Sequence, residues 1–420
     1  MTEDFPPVAE QLDVLTRGVV DLTTKPELEK KLERSRATGT PLTVKVGFDP
    51  TAPDIHLGHT VLLRKMRQFE DLGHRVVFVV GDFTGMIGDP TGRNKTRPPL
   101  STEEILANAE TYKRQCFKVL DPDATEIRFN SEWLGALGSE GLIRLAAKYN
   151  VARMLERKDF KERFTNGVQI SVHEFLYPLA QAYDSVFLKA DVEMGGTDQL
   201  FNLNVGRDIM PSFELPPQVV MTVPLLVGLD GVEKMSKSLG NYVGVTEPAG
   251  VMFGKLMSLS DELMWTYYDL LTDLTPAEIA GLKERVASGA VHPRQAKVDL
   301  AKAIITDFHS AGAAAEAEAE FDRIFVKKET PDAVREVVVA AGAAPEGDAS
   351  ATVYAADGLN RILVKCGLAE SGSEATRKIK QGGVRIDGAR VSDFGWKLPG
   401  PGAYVLQVGA RQFVKLVLKN

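Results

Sequence analysis

The sequence predicts an α/β fold built on a parallel sheet, followed by a helical region and a small basic α+β module. Three observations carry this prediction. A β-rich run, Leu42 to Phe48, is followed by a loop with two prolines and then by helical apolar spacing from Leu57 to Leu72. A second apolar run spans Val219 to Val227, and helical patterns dominate from Thr246 to about Lys328. The last 60 residues combine short helical and β-prone runs with an excess of positive charge.

The first strand, loop and helix place two histidines at the start of a helix. His56 and His59 are three residues apart, and Gly58 lies between them. In a parallel α/β sheet, ligands bind beyond the carboxyl ends of the strands, where helix N-termini carry partial positive charge. The pattern therefore predicts a phosphate-binding position, with Gly58 allowing a nucleotide to lie against the backbone. Taken alone, the two histidines also fit a metal pair or a surface pair.

The apolar run at Val219 is followed by a tract with two lysines, Lys234 and Lys237, in the sequence KMSKS. Turn residues before the tract, and Gly240 with Asn241 after it, predict a hinged loop. A flexible amine can follow the β- and γ-phosphates of ATP as they separate from the α-phosphate. The alternative is a solvated loop, which is the usual role of charged, serine-rich stretches.

The two tracts, HLGH at 56–59 and KMSKS at 234–238, resemble the signature motifs of class I aminoacyl-tRNA synthetases. Four longer segments narrow the resemblance: GFDPTAPDIHLGH, GDFTGMIGDPTGR, YPLAQAYDS and GGTDQ, which begin at Gly47, Gly81, Tyr177 and Gly195. In this order they resemble the bacterial tyrosyl-tRNA synthetase family over nearly the whole chain. The resemblance implies a Rossmann-like catalytic domain, a helical anticodon-binding domain and an S4-like RNA-binding domain.

The segment YPLAQAYDS carries three polar side chains that would lie on one side of a helix. Tyr177, Gln181 and Asp184 follow one another at intervals of four and three residues. The resemblance implies that Asp184 binds the phenol of L-tyrosine, and that Tyr177, Gln181 and Asp89 hold its ammonium group. It also places Gln199 near the tyrosine. Without the flanking motifs, the three helical residues would be the polar stripe of an ordinary amphipathic helix.

The resemblance also implies an ATP subsite. Asp198 is expected to bind the ribose, because a carboxylate can accept hydrogen bonds from two hydroxyls. Asp49 is expected beside the reacting groups, with capping of the turn before Pro50 as an equal alternative. The expected ATP-binding residues are Gly47, Asp49, Gly58, Gly196, Asp198 and Lys237. The expected catalytic residues are His56, His59, Lys234, Lys237, Thr51, Arg93 and Arg97, although the two arginines also fit the surface of a polar loop.

One position departs from the family pattern. Many members carry a tyrosine two residues before the glycine of GFD, where it contacts the substrate hydroxyl, and this chain carries Lys45 instead. The second contact to the phenol is therefore in doubt. Two alternatives are open: Lys45 reaches another group, or it lies at the edge of the strand.

The resemblance implies ATP-dependent activation of L-tyrosine, followed by transfer to the 3′-terminal ribose of tRNA(Tyr). Magnesium is expected to arrive with ATP, so neither a protein-held metal nor a tightly bound cofactor is expected. Ser236 and Ser238 are expected to shape the loop, because the reaction needs no covalent enzyme intermediate. Two alternatives remain open: another class I synthetase, such as a tryptophanyl enzyme, and a noncatalytic RNA-binding relative.

Composition limits the class of protein. The chain has 420 residues, and no apolar run approaches membrane-spanning length. The acidic amino terminus has no leader pattern, so the cytoplasm is the expected compartment, with no membrane or DNA partner. The 2 cysteines, Cys116 and Cys366, are too few for a disulfide framework, and packing is their expected role.

The net charge of −7 is distributed unevenly. Residues 361–420 carry eleven Lys or Arg against four Asp or Glu, so the preceding residues sum to −14. A basic module on an acidic body is typical of a chain that docks RNA through one end. The module resembles an S4-type domain with helices at Leu359–Cys366 and Ser373–Gln381. Its expected tRNA contacts are Arg361, Lys365, Arg377, Lys378, Lys380 and Arg385, and the alternative is a solvated basic face.

These patterns divide the chain into four segments. Residues 1–245 are expected to form the catalytic domain, with an insertion at about 100–189 that in this family forms a homodimer interface. The helical domain is expected at 246–338. A stretch rich in Ala, Gly and Pro predicts a linker at 339–351, and the S4-like domain is expected at 352–420.

Overall fold

The computed structural model describes residues 5–50, 55–89, 102–326, 335–340, 342, 352–393, 396–409 and 412–418. The chain divides into two compact units, residues 1–314 and 315–420. The predicted catalytic and helical segments together make up most of the first unit. Among the helices of the described residues, none is long and apolar enough to cross a membrane.

The first unit is built around a six-stranded sheet. Its strands are β1 (Leu22–Thr23), β2 (Thr43–Phe48), β3 (Arg75–Val80), β4 (Thr125–Phe129), β5 (Val192–Gly196) and β6 (Val219–Val223). They are ordered β1-β6-β5-β2-β3-β4, and every neighbouring pair is parallel except β1 with β6. The sequence of β3, RVVFVV, is buried from its second residue onward. Such a continuous apolar run is typical of a parallel strand that is covered on both faces.

Several helices of this unit are capped by side chains or end at glycine. Thr24 accepts a hydrogen bond from the backbone of Glu27 at the start of the second helix, and Gly39 ends that helix in the left-handed conformation. Thr275 and Glu278 form a reciprocal capping box ahead of Pro276, so the helix start predicted there is confirmed. The helices are α1 (Val8–Thr16), α2 (Lys25–Thr38), α3 (Leu57–Asp71), α4 (Asp82–Ile87), α5 (Thr102–Cys116), α6 (Ser131–Ala146), α7 (Val151–Met154), α8 (Lys158–Thr165), α9 (Leu176–Leu188), α10 (Leu200–Ile209), α11 (Ala249–Met257), α12 (Leu263–Leu271), α13 (Pro276–Ala287), α14 (Pro293–Phe308) and α15 (Ala311–Phe321).

The order of the strands creates a place for a ligand. From β2 the chain continues to β3 and β4 on one side, and later to β5 and β6 on the other side. This reversal leaves a crevice at the carboxyl ends of β2 and β5, which is where open α/β sheets bind their ligands. Asp49 follows β2, Gly81 follows β3, and Asp198 lies just beyond β5.

The second unit has a sheet of its own. Its strands are β7 (Arg335–Ala340), β8 (Val353–Tyr354), β9 (Val384–Ile386), β10 (Ala389–Arg390), β11 (Gly402–Val408) and β12 (Gln412–Leu418), in the order β10-β9-β11-β12-β7-β8. The helices α16 (Leu359–Lys365) and α17 (Gly372–Lys380) supply Leu359, Ile362 and Ile379 to the core. The two helices predicted for this module are confirmed, with ends that differ by one residue.

Three predicted boundaries differ from the structure. The strand predicted to reach Val227 ends at Val223, because Pro224 follows and has no N–H for the ladder. The predicted insertion at 100–189 contributes β4 to the edge of the sheet, since apolar and β-branched residues pair with β3. The end of the predicted helical segment and the start of the predicted linker together form β7, in which Val339 pairs with both Leu418 and Val353. The alternation of that run is typical of a strand with one buried face.

Candidate active site

A cavity of about 1000 Å³ opens at the carboxyl ends of β2, β3, β5 and β6. Every described residue that was predicted for the ATP, tyrosine and catalytic sites lines it: Gly47, Asp49, His56, Gly58, His59, Asp89, Tyr177, Gln181, Asp184, Gly196, Asp198, Gln199, Lys234 and Lys237. Thr51, Arg93 and Arg97 lie outside the described residues. The two signature tracts and the polar face of α9 therefore share one space, of a size that suits small-molecule ligands.

The two histidines are locked against each other at the start of α3. The Nδ1 atom of His56 accepts from the backbone N–H of Gly58 at 3.2 Å, and the Nδ1 atom of His59 accepts from the backbone N–H of His56 at 3.2 Å. Their rings stack with centroids 3.9 Å apart. Since both Nδ1 atoms are acceptors, both Nε2 atoms carry the proton in the neutral rings. The pair thus offers two N–H donors to the cavity.

The environment keeps both imidazoles neutral. Burial lowers the pKa of His56 to about 2, helped by His59, Lys237 and Lys234. Burial and the two lysines lower the pKa of His59 to about 4. Desolvation disfavours the charged form of a base, and nearby cations act in the same direction. The histidines are therefore neutral hydrogen-bond donors at pH 7, and the lysines supply the positive charge.

Packing against His56 gives a reason for glycine at position 58. A Cβ atom at this position would lie 2.9 Å from Cε1 of His56. Any larger residue would push the imidazole from its place over the helix start, so Gly58 permits the histidine arrangement itself.

The lysine tract is anchored by Asn241, which is buried. Its Oδ1 atom accepts from the backbone N–H of Ser236 at 2.8 Å. Its Nδ2 atom donates to Asp230 at 2.6 Å and to the carbonyl of Lys234 at 3.2 Å. A Cβ atom on Gly228 would overlap the Asn241 amide. One side chain thus ties both ends of the hinged loop together.

Lys234 is paired with the residue expected to hold the ribose. Its Nζ atom lies 2.9 Å from Oδ2 of Asp198, and about half of the Lys234 side chain is exposed. An exposed ion pair of this kind is weak and separates easily. The Asp198 carboxylate is therefore readily available to another hydrogen-bond donor.

The other end of the cavity is a buried polar network. Asp184 accepts from Nε1 of Trp133 at 2.8 Å and from Nδ2 of Asn130 at 3.4 Å. Burial raises the pKa of Asp184 to about 6 against the opposing effect of Lys45 and the two donors. The residue remains largely ionised at pH 7 and is suited to accept a hydrogen bond from a buried hydroxyl.

Asp49 belongs to the same network. Its two oxygens accept from Thr84 Oγ1 at 2.7 Å and from the Tyr177 hydroxyl at 2.8 Å. Burial raises the pKa of Asp49 to about 7. A bound cation would favour the ionised carboxylate, which is what an amino group at this position supplies. The Gln199 amide donates to Asp89 at 2.9 Å nearby.

Lys45 lies at the centre of the sheet, so the strand-edge alternative is wrong. Its strand, β2, pairs with β3 on one side and β5 on the other. Its Nζ atom contacts Glu193 at 2.7 Å and Asp184 at 3.8 Å, and its side chain is 0% exposed. The alternative that Lys45 reaches another group is confirmed.

Four residues that complete the network were not predicted: Thr84, Asn130, Trp133 and Glu193. Asn130 and Trp133 lie more than 50 positions from Asp184 in a segment without a motif, and only the pairing of β4 with β3 brings them there. Gly81 could have been predicted from the sequence, since it is the first residue of the segment GDFTGMIGDPTGR. A Cβ atom at Gly81 would lie 2.0 Å from Oδ1 of Asp49.

The six basic residues predicted to contact tRNA separate into two groups. Arg361, Arg377, Lys380 and Arg385 are exposed. Lys365 is only 10% exposed and binds Asp357 at 3.1 Å, and Lys378 binds the carbonyl of Leu368 at 2.9 Å. The latter two stabilise the fold of their own unit, because their amines are engaged within it. Within the described residues, no cluster of three or more His, Cys, Asp or Glu could hold a metal ion.

Comparison with known proteins identifies the family of the chain. Residues 37–326 match the family of tRNA synthetases class I (W and Y), and residues 358–402 match the S4 domain. The tyrosine–tRNA ligase of Geobacter sulfurreducens is 55% identical over 97% of this chain and 99% of its own length. That of Bordetella pertussis is 54% identical over 98% of this chain and 97% of its own length.

Solved structures share the fold. Tyrosyl-tRNA synthetase from Archaeoglobus fulgidus, complexed with L-tyrosine, superposes with a TM-score of 0.60 at 23% identity, covering 74% of this chain and 99% of that one. A truncated mitochondrial tyrosyl-tRNA synthetase from Aspergillus nidulans gives a TM-score of 0.61 at 22% identity, covering 76% and 94%. At these identities the likeness concerns the fold alone.

Proposed function

We propose a residue-level mechanism from one premise: the chain belongs to the class I tRNA synthetases (W and Y) and, within them, to the tyrosine–tRNA ligases. Such a ligase joins L-tyrosine to tRNA(Tyr) at the expense of ATP, which becomes AMP and diphosphate. The observation that supports our assignment of roles is the shared cavity, in which the HLGH and KMSKS tracts face the polar side of α9.

L-Tyrosine occupies the end of the cavity near α9 and α6. Its phenol donates to Asp184, which is already oriented by Trp133 and Asn130. Its ammonium group lies among Tyr177, Gln181, Asp89 and Gln199, close to Asp49. Phenylalanine would leave the Asp184 carboxylate without the phenol donor, and an unpaired buried group is costly.

ATP occupies the other end, with its ribose on Asp198 and its phosphates between the imidazoles and the lysine loop. Gly47, Gly58 and Gly196 allow close approach of the nucleotide. The tyrosine carboxylate oxygen forms a bond to the α-phosphorus as the bond from that phosphorus to the bridging oxygen breaks, and diphosphate leaves. The Nε2–H groups of His56 and His59, with the amines of Lys234 and Lys237, stabilise the charge that develops in this step. Magnesium enters with ATP, neutralising its phosphates.

Transfer to tRNA completes the reaction. The terminal 2′-hydroxyl of tRNA(Tyr) attacks the activated carbonyl and gives up its proton, so that an ester to the ribose forms. AMP leaves with the electron pair of the broken anhydride bond between the carbonyl carbon and the phosphate oxygen. The second unit contributes Arg361, Arg377, Lys380 and Arg385 as phosphate contacts, since these four are exposed. We assign Lys365 and Lys378 to structural roles instead.

The functional molecule we propose is a homodimer formed through the predicted insertion. Large exposed apolar side chains concentrate there: Ile143, Val151, Phe164, Val168, Val172 and Phe187. Among the described residues, several of these are 59–79% exposed. Exposed apolar groups in such number mark a protein–protein interface.

Exchange of labelled diphosphate into ATP tests the proposal. The purified chain is incubated with ATP, Mg²⁺ and one amino acid at a time. Exchange that depends on tyrosine supports the proposed function, whereas exchange that depends on tryptophan would favour the tryptophanyl alternative. The absence of exchange with every amino acid would support the noncatalytic RNA-binding alternative.

A further inference from the structure

The floor of the proposed tyrosine subsite contains three buried charged residues: Glu193, Lys45 and Asp184. Lys45 stands where many family members carry tyrosine, and its side chain is 0% exposed. Glu193 is also 0% exposed, and Asp184 is 3% exposed. Burying a charge costs free energy unless it is paired, so the position of each charge is constrained by the other two.

Glu193 is the fixed end of this group. Its Oε1 atom accepts from Lys45 Nζ at 2.7 Å, and its Oε2 atom accepts from Ser185 Oγ at 2.8 Å and Gln218 Nε2 at 2.9 Å. A Cβ atom on Gly206 would lie 2.7 Å from the Gln218 amide. Both carboxylate oxygens are held and the surrounding space is filled, so Glu193 anchors the ammonium of Lys45.

Asp184 is the end that faces the ligand. It lines the cavity, while Lys45 lies behind it and does not. The Lys45 Nζ atom is 3.8 Å from Asp184 Oδ2 and 3.5 Å from the carbonyl of Gln181. The ammonium therefore acts on substrate through Asp184 and through the turn of α9 that carries Gln181.

We propose that Lys45 is a positioning residue for tyrosine specificity: held by Glu193, its ammonium keeps the Asp184 carboxylate ionised and in place to accept the phenol of the substrate. A lysine thereby replaces a direct phenol contact with an indirect one. The inference rests on the proposed role of Asp184. The experiment below distinguishes a failure of the role of Lys45 from a failure of the role of Asp184.

Several charged and titratable groups face Asp184 from the elements packed around it. They are Lys45 on β2, Asp49 after β2, Tyr177 on α9 and Glu193 on β5, and Asn130 and Trp133 add neutral donors. Asp89, after α4, acts on Asp49 and Tyr177. Asp49 and Asp89 act on the ammonium group, which tyrosine and phenylalanine share. The ratio of the dissociation constants of phenylalanine and tyrosine therefore reports on the contact between Asp184 and the phenol, and the shared ammonium contacts cancel.

The experiment measures this ratio between pH 5 and 8.5 by equilibrium dialysis of labelled amino acids against the intact protein. In the wild type we expect selectivity for tyrosine to fall about tenfold as Asp184 takes up a proton on acidification, because a charge-assisted hydrogen bond is lost. The midpoint is the pH at which half of this change in selectivity has occurred. Lys45→Met removes a cation, so we expect the midpoint to move to higher pH. Glu193→Gln removes an anion and moves it to lower pH.

Opposite shifts are the result that supports the inference, because general damage to the fold would not move the two midpoints in opposite directions. Midpoints that stay at the wild-type value, or that move in the same direction, would overturn it. If Lys45→Met fails to fold, Lys45→Met/Glu193→Gln removes both charges, and its midpoint must lie above that of Glu193→Gln. Asp184→Asn provides the separate test: if it leaves selectivity intact, the proposed role of Asp184 itself is wrong.

Discussion

At the scale of single residues, the site separates neutral donors from charged ones. Burial and neighbouring lysines lower the pKa of His56 to about 2, while burial raises the pKa of Asp49 to about 7. These opposite directions have one physical cause, since a low-dielectric pocket penalises whichever form is charged. The substrate-free site therefore carries less charge than its composition indicates. Charged groups of the bound ligands then favour the ionised forms of the residues that they contact.

The selectivity for tyrosine depends on Asp184. Replacing it with alanine removes a charged acceptor, so we expect the preference for tyrosine over phenylalanine in diphosphate exchange to fall roughly 10- to 100-fold, the worth of about 1.5–3 kcal/mol. Asp13→Ala, on the exposed face of α1, is the matched control and leaves the preference unchanged. An unaltered preference in Asp184→Ala would exclude the phenol contact.

The lowered histidine pKa values predict how stability depends on pH. A histidine whose pKa is lower in the folded state than its ordinary value of about 6.5 opposes protonation, so stability is lost as pH falls from about 6.5 towards 4. Each such histidine costs about 1 kcal/mol between pH 6.5 and 5.5.

The variant His59→Asn should lose about this much less than the wild type over the same interval. Urea unfolding at the two pH values measures the difference. Asp49 and Asp184, whose raised pKa values act in the opposite direction, contribute equally to both proteins. Equal losses in the two proteins would show that His59 is not held neutral.

At the scale of elements, motifs were easier to predict than the network behind them. The start of α3 and the lysine loop could be predicted from their residue types and from the glycine or turn residues at fixed distances from them. The partners of Asp184 had no such signal. Trp133 and Asn130 reach it only because β4 adds to the sheet and α6 follows, and a single sequence does not specify this register. Likewise, β7 was not predicted, because the Ala- and Gly-rich stretch next to it made its alternation of buried and exposed residues hard to recognise.

The lysine loop should depend on Asn241. Replacing it with alanine removes hydrogen bonds to Ser236, Asp230 and Lys234, so the loop loses its closed geometry. We expect kcat for tyrosine-dependent exchange to fall by about tenfold or more, while KM for tyrosine changes little because α9 is untouched. Gln295→Ala, which removes an exposed amide on α14, is the control. A larger effect on KM for tyrosine than on kcat would contradict this role.

At the scale of the whole molecule, the chain combines two compact units, and their charges differ in sign. Fold class, domain order and reaction followed from the sequence, because several motifs occur in the right order over nearly its full length. The boundary between the two units could not be predicted from the sequence. A cut at 352 would leave β7 without β12 and β8, and an unpaired strand invites aggregation.

Removal of the second unit should therefore be made after Val326. We expect the shortened chain, residues 1–326, to form tyrosyl-adenylate at a rate within about threefold of the full chain, because every described residue of the cavity remains. Charging of tRNA(Tyr) should fall by more than tenfold, since exposed cations are lost. Rapid-quench assays of both steps measure this, and full charging by the shortened chain would show that the basic unit is dispensable.

The central claim is that imidazoles and amines from distant tracts act together on one triphosphate in the transition state. The single-turnover rate constant for adenylate formation tests it most directly, measured with His59→Ala, Lys237→Ala and the double variant at saturating ATP and tyrosine. We predict a loss of about 100-fold or more in each single variant, a combined loss that departs from the product of the two, and a dissociation constant for tyrosine within about twofold of the wild type. Wild-type rate constants in either single variant would contradict the account.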